Sequence, residues 1–330
     1  MDDLPSESDN TNPQHVSLGK SCQRGDLRKA CQRGDLGAAQ ELVVTFNLTA
    51  ADARAHTNYA LRFSCANGHL EVAQWLTATF GLTTDDARAD HNWALRYSCA
   101  NGHLEVAQWL VATFGLTTAD ARASGNHALH ATCVNGLLEV ALWLIATFGL
   151  TAEDARADDN FALRLSCANG RLAVAQWLVA TFGLTATDAR ADDNFALRNS
   201  CGNGYLAVAQ WLVATFDLTA DDARAGDNWA FQLACENGHL ETAQWLVATF
   251  DLTANDARAE DNGTLRWSCL NGHLDVAQWL VSAFGLTADD ARARDSWALR
   301  HSCLGGHLKV ARWLVATFGL EPHCEKCHPQ

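Results

Sequence analysis

Residues 58–91 read as two apolar helical stretches separated by polar breaks. In the first, Ala60, Leu61, Ser64 and Cys65 fall at i, i+1, i+4 and i+5, which gathers small and apolar side chains on one helix face. Asn58, just before it, has a side-chain oxygen suited to capping the free N–H groups of a first turn. Asn67-Gly68 ends the stretch, because glycine adopts the left-handed conformation that closes helices. A second helix is predicted in HLEVAQWLTATF, with Leu70, Ala73, Leu76 or Thr77, and Phe80 at helical spacing, stopping at Gly81. The segment LTTDDARAD follows. Its Thr83 and Asp86 have the form of a capping box with Asp in place of Glu, and they predict one short helical turn.

This pattern repeats without a slip. Cys31, Cys65, Cys99, Cys133, Cys167, Cys201, Cys235, Cys269 and Cys303 stand 34 residues apart, and Trp75 to Trp313 and Gly34 to Gly306 keep the same step. The box recurs at Thr49/Asp52, Thr117/Asp120, Thr151/Asp154, Thr185/Asp188, Thr219/Asp222, Thr253/Asp256 and Thr287/Asp290. A chain of 330 residues would suggest two domains by length alone. The period argues instead for one array of about nine units over 17–321, the first and last incomplete. Residues 1–16 are expected to form a disordered acidic tail and 322–330 a C-terminal tail. The expected fold class is all-α: an elongated solenoid of stacked helix pairs with a short helical turn as connector.

Asn67-Gly68-His69-Leu70-Glu71-Val72, followed by an apolar helix and glycine, is similar to the second half of an ankyrin repeat. Ala94-Leu95-Arg96-Tyr97-Ser98-Cys99 occupies the place of that family's Thr-Pro-Leu-His-Leu-Ala-Ala. The chain thus resembles a divergent ankyrin-like array with a 34-residue unit. It departs in lacking the Thr-Pro-Leu-His tetrapeptide and in running one residue longer between Gly68 and Gly81. Those departures put the family's β-hairpin finger in doubt, and the capping box suggests a helical connector instead, with the β-hairpin left as the alternative. The tetratricopeptide pattern, which has a similar period, is absent.

Composition narrows the function. With 48% hydrophobic and 19% charged residues the chain can bury a large core. No apolar run reaches the length of a membrane span, and the acidic, polar start is unlike a secretory signal. A net charge of −14 opposes nucleic acid and favours a protein partner of basic or mixed charge. The expectation is a monomer in the cytoplasm or another intracellular compartment, with reduced cysteines, no membrane contact and no cofactor.

The cysteine ladder is expected to pack rather than react, because free cysteine behaves as a small buried hydrophobe. Equivalent helices stack about 8–10 Å apart, too far for disulfides between neighbours, which need Cα atoms within about 7 Å. The turn histidines are expected to satisfy backbone groups, since Leu137, Arg171 and Tyr205 take the place of His69 and His103. Arg24-Gly25-Asp26 and Arg33-Gly34-Asp35 spell an adhesion tripeptide, but Gly34 is in frame with the helix-ending glycines. At the C-terminus, His323, Cys324, Cys327 and His328 offer a Cys-x-x-Cys-His pattern that matches haem attachment or a partial zinc site. A metal-binding or redox protein acting through this tail is the alternative to a scaffold. No phosphate loop, no GxSxG and no catalytic carboxylate pair occurs, so no catalytic residues and no enzyme activity are expected.

A binding face is suggested where successive copies disagree. One ladder reads Tyr59, Trp93, His127, Phe161, Phe195, Trp229, Gly263 and Trp297; the other reads Phe63, Tyr97, Ala131, Leu165, Asn199, Leu233, Trp267 and His301. The two positions lie four apart on the first helix, on one face. Aromatic side chains there suit partner anchoring along the array. The chain is expected to be a non-catalytic protein-interaction scaffold that uses this face, unless the first ladder packs on the connector.

Overall fold

The computed structural model describes residues 25–322, and within them every regular element is a helix. Two compact units are distinguished: one takes residues up to 132 together with 139–150, the other 133–138 together with 151 onward. Each is built from the same repeat. No helix among the described residues is long and apolar enough to cross a membrane.

In the first unit one repeat runs from the connector helix Ala50–Ala53, through the first helix within Ala55–Ala66, to the second helix Leu70–Phe80. The connector is the expected helical turn. Asp120 shows how it closes: its Oδ2 accepts from the Thr117 backbone N–H at 2.7 Å and from the Thr117 hydroxyl at 3.0 Å. The second helix buries Val72, Ala73, Leu76 and Phe80 and ends at left-handed Gly81, with φ 57°. Its Trp75 is half-buried and meets Phe80 edge to face at 6.0 Å. The first helix buries Ala60, Leu61, Ser64 and Cys65, and the Ser64 hydroxyl donates to the Ala60 carbonyl.

Asn58 does not cap this helix. Its Oδ1 is buried without a hydrogen-bond partner among the described residues, and so are those of Asn92, Asn194, Asn228 and Asn262. The backbone supplies the reason, because His56, Thr57 and Asn58 form a left-handed turn with φ of 54°, 58° and 57°. Asparagine tolerates that region better than most residues. An equivalent turn, such as Asp90-His91-Asn92 or Asp192-Asp193-Asn194, precedes each later first helix.

Candidate functional site

The ladder residues of the first unit form one continuous stack of rings. Tyr59 stacks on Phe63 at 3.9 Å, Phe63 meets Trp93 at 4.6 Å, Trp93 stacks on Tyr97 at 4.2 Å, and Tyr97 meets His127 at 5.3 Å. The contacts alternate between rings of one helix and rings of successive repeats. All five are half-buried, with one side toward solvent. The Tyr59 hydroxyl also donates to Gln32 Oε1.

In the second unit the stack is interrupted. Trp297 stacks on His301 at 3.9 Å and meets Trp267 at 5.1 Å, but Leu165, Asn199 and Leu233 separate Phe161, Phe195 and Trp229. Asn199 instead donates its amide to the Phe195 carbonyl. Trp229, at 46% exposure, is the most open of these rings.

A second ladder, unnoticed as a functional feature in the sequence, supports the first. Arg62, Arg96, Arg164, Arg198 and Arg266 follow the Ala-Leu or Thr-Leu pair of their helices, and their guanidinium groups reach back to the left-handed turn. Arg96 donates to the His91 and Asp90 carbonyls at 2.7 and 3.0 Å, and Arg266 donates to Asp261 and Glu260 at 2.9 and 2.7 Å. The same groups lie over aromatic rings: Arg62 over Trp93, Arg164 over Phe195, Arg198 over Trp229 and Arg266 over Trp297, at 4.6–5.2 Å. Arg62 also pairs with Asp90 and Arg164 with Asp192. The only sequence signal was the arginine that replaces an expected family residue.

Within each unit the turn joins one repeat to the one before. Asn101 Nδ2 donates to the Ala66 carbonyl at 2.8 Å, and His69 Nε2 lies 3.1 Å from the Gln32 carbonyl. The His103 ring occupies the space left by Gly68, where a Cβ would stand 2.6 Å from Nδ1. Burial, followed by the charge of His69, pushes His103 below its ordinary pKa, against a backbone hydrogen bond to Ala66. His239 behaves alike beside His273.

The connector carboxylates join repeats as well. Asp120 accepts both Nε and Nη2 of Arg88, and Asp290 accepts those of Arg258. These bidentate pairs lead the interactions that hold both acids down to about 2, while burial opposes them and the Thr117 and Thr287 donors assist. The repeated aspartates therefore act as capping and pairing groups.

Cys31 through Cys269 are buried free thiols, and burial raises their pKa, for Cys133 to about 12. A thiol so hard to ionise is a poor nucleophile and a poor metal ligand. Cys303 differs: it is half-buried and disulfide-bonded. Among the described residues no group of three His, Cys, Asp or Glu side chains is placed to hold a metal ion. His323, Cys324, Cys327 and His328 lie outside the described residues, as do residues 1–16 and Arg24.

A family-model match agrees with the repeat geometry. The family model for ankyrin repeats matches residues 27–118, 95–188, 197–295 and 231–326. No curated protein matches the sequence. Among solved structures, an ankyrin repeat family protein from Legionella pneumophila is similar at 16% identity, with 72% of this chain and 76% of that chain covered and a TM-score of 0.36.

Proposed function

Because the chain belongs to the ankyrin-repeat family, whose members are generally protein–protein interaction modules and typically non-enzymatic, we propose that it is a scaffold that binds a protein partner along the first helices of its repeats. The observation that carries this reading is the half-buried ring stack from Tyr59 to His127. Rings already immobilised by stacking and by arginine lose little side-chain entropy when a partner covers them. Aromatic anchors of that kind dominate interface energetics. The net charge of −14 favours a partner of basic or mixed charge, engaged by a monomeric scaffold.

We place the scaffold in an intracellular, reducing compartment on the strength of the eight unbonded thiols from Cys31 to Cys269. The bonded Cys303 is the exception. The test is capture of partners by the full chain and by its Trp93→Ala/Tyr97→Ala variant, with circular dichroism to show that both are folded. Loss of two anchors is expected to lower capture at least about tenfold, the equivalent of about 1.4 kcal/mol. Unchanged capture would remove the face from the reading.

A further inference from the structure

The arginine and ring ladders fail together at one junction. Elsewhere in the second unit the arginine of one repeat lies over the ring that opens the next first helix, as Arg164 over Phe195, Arg198 over Trp229 and Arg266 over Trp297. Between Trp229 and Trp267 the arginine is replaced by Gln232 and the ring by Gly263. A cavity of about 430 Å³ opens there. Trp229 and Trp267 contribute aromatic walls, and Asp227 and Glu260 line it beside Gln232.

The neighbouring repeats indicate what such a position holds. The ring position occupied by Gly263 is the one from which Tyr59 stacks on Phe63, Trp93 on Tyr97 and Trp297 on His301, at 3.9–4.2 Å. A planar group entering from outside would meet the face of Trp267 in the same way. Charge selects among planar groups. The carboxylates of Asp227 and Glu260 are exposed and make no ion pair among the described residues, whereas the two cations on the rim have their donors directed to other groups. Arg266 donates to the Glu260 and Asp261 carbonyls, and Arg294 donates to the Asp261 carboxylate at 2.9 Å. The cavity therefore presents tryptophan faces, the Asp227 and Glu260 carboxylates and the Gln232 amide, with Arg266 and Arg294 on its rim.

We propose that this cavity is a docking slot for an arginine side chain of a basic protein segment. The incoming guanidinium stacks on Trp267 and Trp229, replacing the contact that Gln232 cannot make, and directs its N–H groups to Asp227, Glu260 and Gln232 Oε1. Lysine, a point charge without a planar face, fits less well. This deepens the scaffold reading by naming the partner's anchor, and it rests on that reading for its biological use.

The test titrates the full chain with a short glycine-serine peptide carrying one arginine, followed through the Trp229 and Trp267 indole N–H signals. Saturable shifts are expected with the arginine peptide, at least about tenfold weaker binding with citrulline in its place, and intermediate binding with lysine. The double variant Gln232→Arg/Gly263→Trp refills the slot with the chemistry of the adjacent junctions and should abolish binding. Gly263 has no left-handed φ, but an added Cβ meets the Gln232 side-chain end and Glu260 Cβ at 3.3 Å, close enough that these neighbours must shift slightly, so circular dichroism is used to show that the refilled chain folds. Asp227→Asn/Glu260→Gln, which leaves the walls in place, should weaken binding at least about fivefold. Equal affinity for arginine and citrulline peptides, or retained binding by the refilled variant, overturns the proposal. So does a preference for a tryptophan peptide. Failure here together with loss of protein capture by Trp93→Ala/Tyr97→Ala rejects the arginine slot and leaves the scaffold reading. Peptide binding without any face-dependent protein capture does the reverse.

Discussion

Single residues carry several duties in this repeat, and the turn Asn-Gly-His shows how. Gly68 takes φ 79° to end its helix, and its missing side chain makes room for His103 of the next repeat. The first duty was legible in the sequence, because a helix stop has a local signature. The second was not, because it depends on which turn lies above. The packed imidazoles have a consequence for acid stability. Burial, then the neighbouring histidine's charge, lowers the pKa of His103 and His239, so the unfolded chain binds protons more readily. Their stabilising effect is complete above the ordinary value of 6.5 and falls as pH drops below it. Asp120 and Asp290 are also depressed, from 3.8 to about 2, so their contribution is present above 3.8 and is lost toward pH 2. Thermal midpoints measured against pH should therefore decline in two steps. In His103→Tyr/His239→Tyr, which copies Tyr205 over Gly170, the step below pH 6.5 should flatten while the acid step remains.

At the scale of the element, the left-handed turn is the feature the sequence concealed. Three successive residues at positive φ are costly for L-amino acids, at about 1–2 kcal/mol each outside glycine and, less severely, asparagine and aspartate. Hydrogen bonds from the first-helix arginine to the turn carbonyls offset that cost in most repeats, as with Arg96 and His91. The two interior repeats that lack the arginine carry His130 and Gln232, and these two have glycine in the turn, Gly125 and Gly226. Either the carbonyls are clamped or the strain is relieved. Arg96→Ala is expected to destabilise the protein by about 2 kcal/mol, the value of hydrogen bonds from a charged donor. His91→Gly, at φ 55°, should stabilise it by about 0.5–1 kcal/mol. Combined, the glycine should recover more than it adds alone, with a coupling of at least about 0.5 kcal/mol in denaturant unfolding. Strict additivity would break the link between clamp and strain. The connector's capping box, in contrast, was legible beforehand, since Thr and Asp three apart favour a capped turn without tertiary contacts, whereas the choice of a helical turn over a β-hairpin came from the structure.

For the molecule as a whole, the charge of −14 bears on partner choice more than on fold. Association with a basic protein should weaken as salt rises, by about tenfold between about 0.05 M and about 0.5 M, in surface binding assays. A salt-insensitive partner would argue for the rings alone. The repeat, the helix pair, the buried Cys65 face and the capped connector were all determined by the sequence, because periodicity, helix stops and small-residue spacing are local properties written again every 34 residues. The candidate binding positions were located by the same counting, through the places where copies differ. What only the tertiary structure decided lies between copies: the ring stack, the arginines over it, the bidentate Arg88–Asp120 pairing and the cavity between Trp229 and Trp267. Each needs atoms from residues about 30 positions apart to meet. No local preference encodes that distance, and packing one repeat on the next supplies it.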